Sequence, residues 1–108
     1  MDSPEYNSDE LVDMNVGVCQ ITLLIPENSS LKEKRQFIRP IITRIKNNFN
    51  VSVAEVDHRD SWKLATISVA FVSNDRRYTD KVLSEVVNFV RGGFSVEILD
   101  CKTEIISI

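Results

Sequence analysis

The chain has little of what most recognisable chemistry requires. Its 108 residues include one histidine, two cysteines and three glycines. His58 has no second His or Cys at ligand spacing, so it reads as an exposed polar loop residue rather than a metal ligand. Cys19 and Cys101 form no C-x-x-C loop, which excludes the metal-carrying domains built on that motif. The glycines, Gly17, Gly92 and Gly93, make neither a phosphate-cradling loop nor a G-x-x-G clamp. No apolar run approaches the roughly 20 residues that span a bilayer. Residues 1–13 lack the basic and apolar regions of a signal peptide. The expectation is a cytoplasmic protein with no membrane contact, no cofactor and no metal. Its two cysteines, both in apolar strand-like runs, are expected to be reduced core thiols rather than a disulfide.

What is present is ordinary in amount and uneven in placement. Hydrophobic residues make up 43% and charged residues 27%, as in a globular domain. The formal net charge of −3 hides an asymmetry. Five acids (Asp2, Glu5, Asp9, Glu10, Asp13) lie in the first 13 residues, which hold no Lys or Arg. The rest of the chain is mildly basic, with 13 bases against 11 acids. Eight of those bases fall between Ser30 and Lys63, opposed by four acids. Such a body is compatible with a polyanion partner without demanding one.

Residues 1–13 are acidic and aperiodic, and read as a disordered tail ahead of a single domain at 14–108. Val16–Ile25 alternates as a strand, with Cys19, Ile21, Leu23 and Ile25 on one face. Pro26 ends it. Ser30 and Glu33 form an S-x-x-E capping box before a helix whose apolar positions are Leu31, Ile38, Ile42, Ile45 and Phe49, with Ile41 beside them. Pro40, inside this pattern, is expected to kink the helix or loosen a turn. Val51–Val56 and Leu64–Ser73 read as strands joined by a polar hairpin loop at 57–61. A second helix follows, capped by Ser73 or Asn74, with Val82, Leu83, Val86, Phe89 and Val90 inward and Gly92-Gly93 as its stop. A last strand covers about 95–105. The order βαββαβ, with two right-handed β-α-β units, predicts an α+β, ferredoxin-like sandwich. Its sheet is four-stranded and antiparallel, in the order 4-1-3-2, with two helices on one face.

Fold alone assigns no activity. An RNA-recognition motif stacks bases on aromatics of the central strands. Here the solvent-side positions are Val18, Gln20, Thr22, Thr66, Ser68 and Ala70, none aromatic. An acylphosphatase-type loop needs Gly and Arg after the first strand, and residues 26–30 (PENSS) have neither. No nucleophile–base pair is apparent, so the protein is not expected to be an enzyme.

The sharpest hint is that both helices open with basic residues, where the positive end of the helix dipole favours anions. The first begins Leu31-Lys32-Glu33-Lys34-Arg35 and the second Arg76-Arg77. Lys32, Arg35, Arg39 and Lys46 fall within about 60° on a helical wheel. With Lys34, they are candidates to follow a phosphate backbone. Their competing role is to cover the edge of the core with their stems. Arg76 and Arg77 are candidates for a phosphate at the second helix start, with an Arg76–Asp80 ion pair as the structural alternative. The two helix starts should lie roughly 20–25 Å apart, which only an extended polyanion bridges. Arg59 and Trp62, in the hairpin, are candidates for a partner contact, and Trp62 also suits a core end cap. The open sheet face is flat and semi-apolar, which suits burial against a second copy.

Four segments carry a family resemblance: Asn15-Val16-Gly17-Val18-Cys19, Ser30-Leu31-Lys32-Glu33-Lys34-Arg35, Phe49-Asn50-Val51-Ser52-Val53-Ala54-Glu55-Val56 and Val72-Ser73-Asn74-Asp75-Arg76-Arg77. Together they resemble the YlxP-like family of small bacterial proteins of uncharacterised function, across residues 14–108. The resemblance implies the same ferredoxin-like fold. It also implies work near the ribosome, since in some bacteria the family's gene lies close to those of a translation initiation factor and a ribosome-binding factor. It supplies no catalytic residues. The function expected is thus a non-enzymatic accessory factor contacting ribosomal RNA or the ribosome. The alternative is a homodimeric regulatory or scaffolding domain that binds a small anion or a protein partner, with the open sheet face as its dimer surface.

Overall fold

A computed structural model describes residues 9–108. Most of the acidic tail expected at 1–13 lies outside the described residues; 9–13 are exposed and belong to no helix or strand. The elements are β1 (Asn15–Leu24), α1 (Leu31–Asn48), β2 (Ser52–Asp57), β3 (Leu64–Ser73), α2 (Arg76–Gly93) and β4 (Glu97–Ser107). The sheet is antiparallel with order β2-β3-β1-β4, which is the expected 4-1-3-2 read from the other edge. This is the ferredoxin-like βαββαβ sandwich.

Alternation along the strands decides which face meets the helices. Cys19, Ile21 and Leu23 of β1 pair with Val69, Ile67 and Ala65 of β3, and all six are buried. Against them α1 sets Ile38, Ile41 and Ile45, and α2 sets Val82, Leu83, Val86, Val87 and Val90. Each such aliphatic side chain contributes roughly 1.5–3 kcal/mol when fully buried. The spacing 34-38-41-45 shows that the buried stripe of α1 includes Lys34, one turn before Ile38.

Gly17 sets the distance between α2 and the sheet. A Cβ there would lie 2.5 Å from Thr79 Cγ2 and 2.7 Å from Leu83 Cδ1. Thr79 itself is buried with its hydroxyl satisfied, 3.0 Å from Asp75 O and 2.7 Å from Ser73 Oγ. Beyond the strand ends, Met14 N–H donates to Ile108 O at 3.1 Å and Ile108 N–H to Met14 O at 2.9 Å, extending the β1–β4 ladder.

Several local expectations are corrected. α2 is capped by Asp75, not Ser73 or Asn74; its carboxylate accepts from Tyr78 N–H at 3.0 Å. Ser73 instead braces the cap, its hydroxyl donating to Asp75 O. α2 does end at Gly93, as the Gly92-Gly93 stop predicts, but without a left-handed turn. Both glycines lie within the helix, no glycine has positive φ, and the extended Phe94 is the C-cap. Pro40 lies inside α1, which continues through it; it falls on the exposed face, where solvent can satisfy the carbonyl that loses its donor. Cys101 is not a core thiol. It sits on the edge strand β4 and is exposed, while Cys19 is buried, and both are free.

Candidate anion and nucleic-acid interface

The start of α1 is built from a capping box displaced by one residue. Ser30 Oγ accepts from Glu33 N–H at 3.1 Å, as an N-cap should. The Glu33 carboxylate then reaches back past the cap to Ser29, accepting from its N–H at 2.8 Å and its hydroxyl at 3.0 Å. Those bonds, led by the backbone one, hold the Glu33 carboxyl below its ordinary value of 4.5. Glu33 is thereby committed to the loop.

Lys34 leaves the group of basic candidates altogether. It is 2% exposed and points under the β2–β3 hairpin. Its Nζ donates to His58 O at 2.8 Å and lies 3.0 Å from Glu55 Oε2. That carboxylate oxygen has no aligned hydrogen bond, so its attraction to Lys34 is a charge contact, and the directed bond goes to the carbonyl. His58 has φ 59°, the left-handed region, and opens the turn after the β2 bulge, which Ser61 N–H closes by donating to His58 O at 3.0 Å. Lys34 therefore pins the hairpin to α1, against its expected role as an anion contact.

That clamp gathers the remaining cations. Lys32, Arg35 and Arg39, with Gln36 and Pro40, line a concavity of about 530 Å³ on the solvent face of α1. Arg35 also lines an adjoining recess of about 430 Å³ with Arg59 and Asp60 of the hairpin. All four basic residues are exposed, and no carboxylate among the described residues lies within ion-pair distance of them. Arg44, the next cation along the helix, is occupied differently. Its guanidinium sits 4.9 Å from the Phe94 ring and 5.8 Å from that of Phe89.

The other candidates do not join this group. Lys46 lines a separate shallow surface with Val16, Asn50 and Val72, where β1 begins. Arg76 is not paired with Asp80. Its guanidinium donates to Ser107 Oγ at 3.1 Å and Ile105 O at 3.3 Å, fastening α2 to β4. Ser107 in turn bonds Asn15, so α2 starts at the opposite end of β1 from α1. Ten strand residues put those ends about 30 Å apart. Arg77 is exposed at that far end. Trp62 is 49% exposed and lines a recess of about 720 Å³ with Leu24, Pro26, Asn28 and Lys63. Asn28 Nδ2 donates to both Pro26 O and Trp62 O, at 2.9 and 2.8 Å, tying the hairpin to the loop before α1. Sequence reasoning missed both ties; the 34-38-41-45 spacing alone signalled the first.

Among the described residues, no group of three or more His, Cys, Asp or Glu is arranged to hold a metal, and no helix is long and apolar enough to cross a membrane. The class defined is a ferredoxin-like α+β domain with a basic helix surface that is unpaired among the described residues. Residues 16–103 match the family described as "Protein of unknown function (DUF503)". The chain is 35% identical over 89 residues to the uncharacterized protein YlxP of Bacillus subtilis (strain 168), covering 82% of this chain and 97% of that one. The chain belongs to this family. Among solved structures it is similar to the de novo designed protein Foldit4 (TM-score 0.49, 14% identity, 84% of this chain and 96% of that one). It is also similar to SnoaB, a cofactor-independent oxygenase from Streptomyces nogalater (TM-score 0.43, 11% identity, 90% and 94%).

Proposed function

We propose that the protein is a cytoplasmic, non-enzymatic accessory factor that contacts ribosomal RNA through the outer face of α1. The observation that carries this reading is the set of cations Lys32, Arg35 and Arg39, unpaired among the described residues, around one concavity, extended by Arg59 across the Lys34 clamp. Cations left without carboxylates among the described residues gain most from an anionic partner, and Lys32, in the first turn of α1, also opposes the helix dipole until an anion binds. The absence of exposed aromatics on the central strands favours backbone contact over base stacking. Arg77, about 30 Å away, adds a contact only for a strand long enough to span the molecule.

Co-sedimentation with ribosomal subunits at graded salt tests this. Arg35→Ala and Arg39→Ala should each reduce the log-affinity against log-salt slope by about 0.7–0.9. Arg76→Ala, whose guanidinium is engaged by β4, should leave the slope unchanged. No binding at low salt removes the reading.

A second reading rests on the open sheet face. Val72, Val16 and Ile106 stand side by side on β3, β1 and β4, with Val72 and Ile106 59% and 46% exposed. This apolar row supports a homodimer through the sheet. Sedimentation velocity of wild type and Val72→Lys decides it, since a monomeric wild type ends that reading.

A further inference from the structure

The β1–β4 register sets Cys19 opposite Thr103 and Cys101 opposite Ile21, so the two cysteines are diagonal neighbours on one face of the sheet. Their sulfurs are 3.4 Å apart. A disulfide requires about 2.05 Å, so closing the bond takes an approach of about 1.4 Å. Two features make that approach accessible. β4 is an edge strand of the sheet. The β1–β4 register also slips between Thr22 and Leu23, beside the Ile21–Cys101 pair, so the local ladder is already irregular.

We propose that Cys19 and Cys101 are a redox modification site, which low-molecular-weight disulfides oxidise to an intramolecular bond tying β4 to β1. The exposed Cys101 is the sulfur an outside reagent reaches, while Cys19 is fully buried. The Cys101 thiolate attacks the reagent's S–S bond, forming a mixed disulfide and expelling one thiol. Cys19 then gives up its proton and attacks the Cys101 sulfur, expelling the second thiol. Two protein thiols and one reagent disulfide thus become one protein disulfide and two reagent thiols. Burial, with smaller contributions from Cys101, pushes the Cys19 thiol up to about 11. Burial persists once Cys101 is derivatised, so what drives the second step is proximity: the Cys19 sulfur already lies 3.4 Å from the sulfur it attacks. The bond would enclose α1, β2, β3 and α2 in one loop. A cross-link restricts the unfolded chain more the longer the loop it closes.

The test treats the full-length protein with glutathione disulfide at neutral pH, followed by intact mass, thiol titration in denaturant, and thermal melting. The expected product is a monomer that is two hydrogens lighter and has no free thiol. It should melt several degrees higher and revert with dithiothreitol. Cys19→Ser should instead stop at a stable Cys101 glutathione adduct. A wild type that keeps the adduct, forms an interchain dimer or retains both thiols overturns the proposal without recourse to any variant.

Discussion

The two helices start alike in sequence and differently in structure. Both open with cations at the end of the dipole that repels them. α2 resolves the conflict within the fold. Asp75 puts a carboxylate on the helix axis as N-cap, and Arg76 swings away to Ser107 and Ile105 of β4. α1 resolves only half of it. Lys34 turns inward to Glu55 and His58, but Lys32, Arg35 and Arg39 stay on the surface, with Glu33 drawn back to Ser29. The lesson is that a basic helix start is informative only after its structural uses are subtracted. At α2 that leaves Arg77; at α1 it leaves a cluster.

The strongest way to break this comparison is at Lys34. If Lys34 is a clamp, Lys34→Ala strands the Glu55 carboxylate in a largely dry site and should cost about 2–4 kcal/mol in urea unfolding. An exposed cation would cost no more than about 1 kcal/mol. Replacing both partners by apolar residues, Lys34→Met with Glu55→Leu, should recover much of the loss, because the buried pair no longer has to be desolvated.

The caps give the next largest effect. Asp75→Ala should cost about 1–2 kcal/mol and Ser30→Ala about 0.5–1 kcal/mol. The difference arises because Asp75 supplies charge as well as an acceptor, whereas the Glu33–Ser29 bonds survive the loss of Ser30 Oγ. Equal losses by thermal melting would mean that Arg76 and Arg77 draw nothing from the Asp75 charge.

The smallest effect is a pH dependence confined to α1. The Glu33 carboxyl is held below its ordinary 4.5 by Ser29. A group depressed in the folded state contributes above its unfolded value, and the contribution fades as pH falls through the folded one. Stability of the wild type should therefore fall more steeply below about pH 4.5 than that of Glu33→Gln. Identical acid limbs in the two melting curves would show that the Ser29 bonds do not persist in solution.

The fold was legible because its signals are periodic. Alternation in 16–25 and 64–73, helical spacing in 31–49 and the capping serine at 30 each specify an element, and their order leaves few topologies. The candidate site was legible only in outline. Lys32, Arg35 and Arg39 share a helix face by spacing alone, but whether each is free depends on partners distant in sequence. Glu55 and His58 capture Lys34 from 21 and 24 residues away, and Ser107 captures Arg76 from 31. Cys101 was misplaced although the expected order already puts β4 at an edge: its neighbours Asp100, Lys102 and Glu104 mark an exposed strand rather than an apolar run.

The paired backbones of Met14 and Ile108 have a practical consequence. The outer ends of the β1–β4 ladder, Met14 and Ile108, meet at one point beside the start of β1, about 30 Å from the basic turn of α1. A short Gly/Ser bridge would join those ends without bending the sheet, so a circularly permuted chain opened in the 57–63 turn should still assemble. A protein anchored to a solid support through residue 108 would hold Arg35 and Arg39 toward the solution, an orientation suited to surface-based binding measurements.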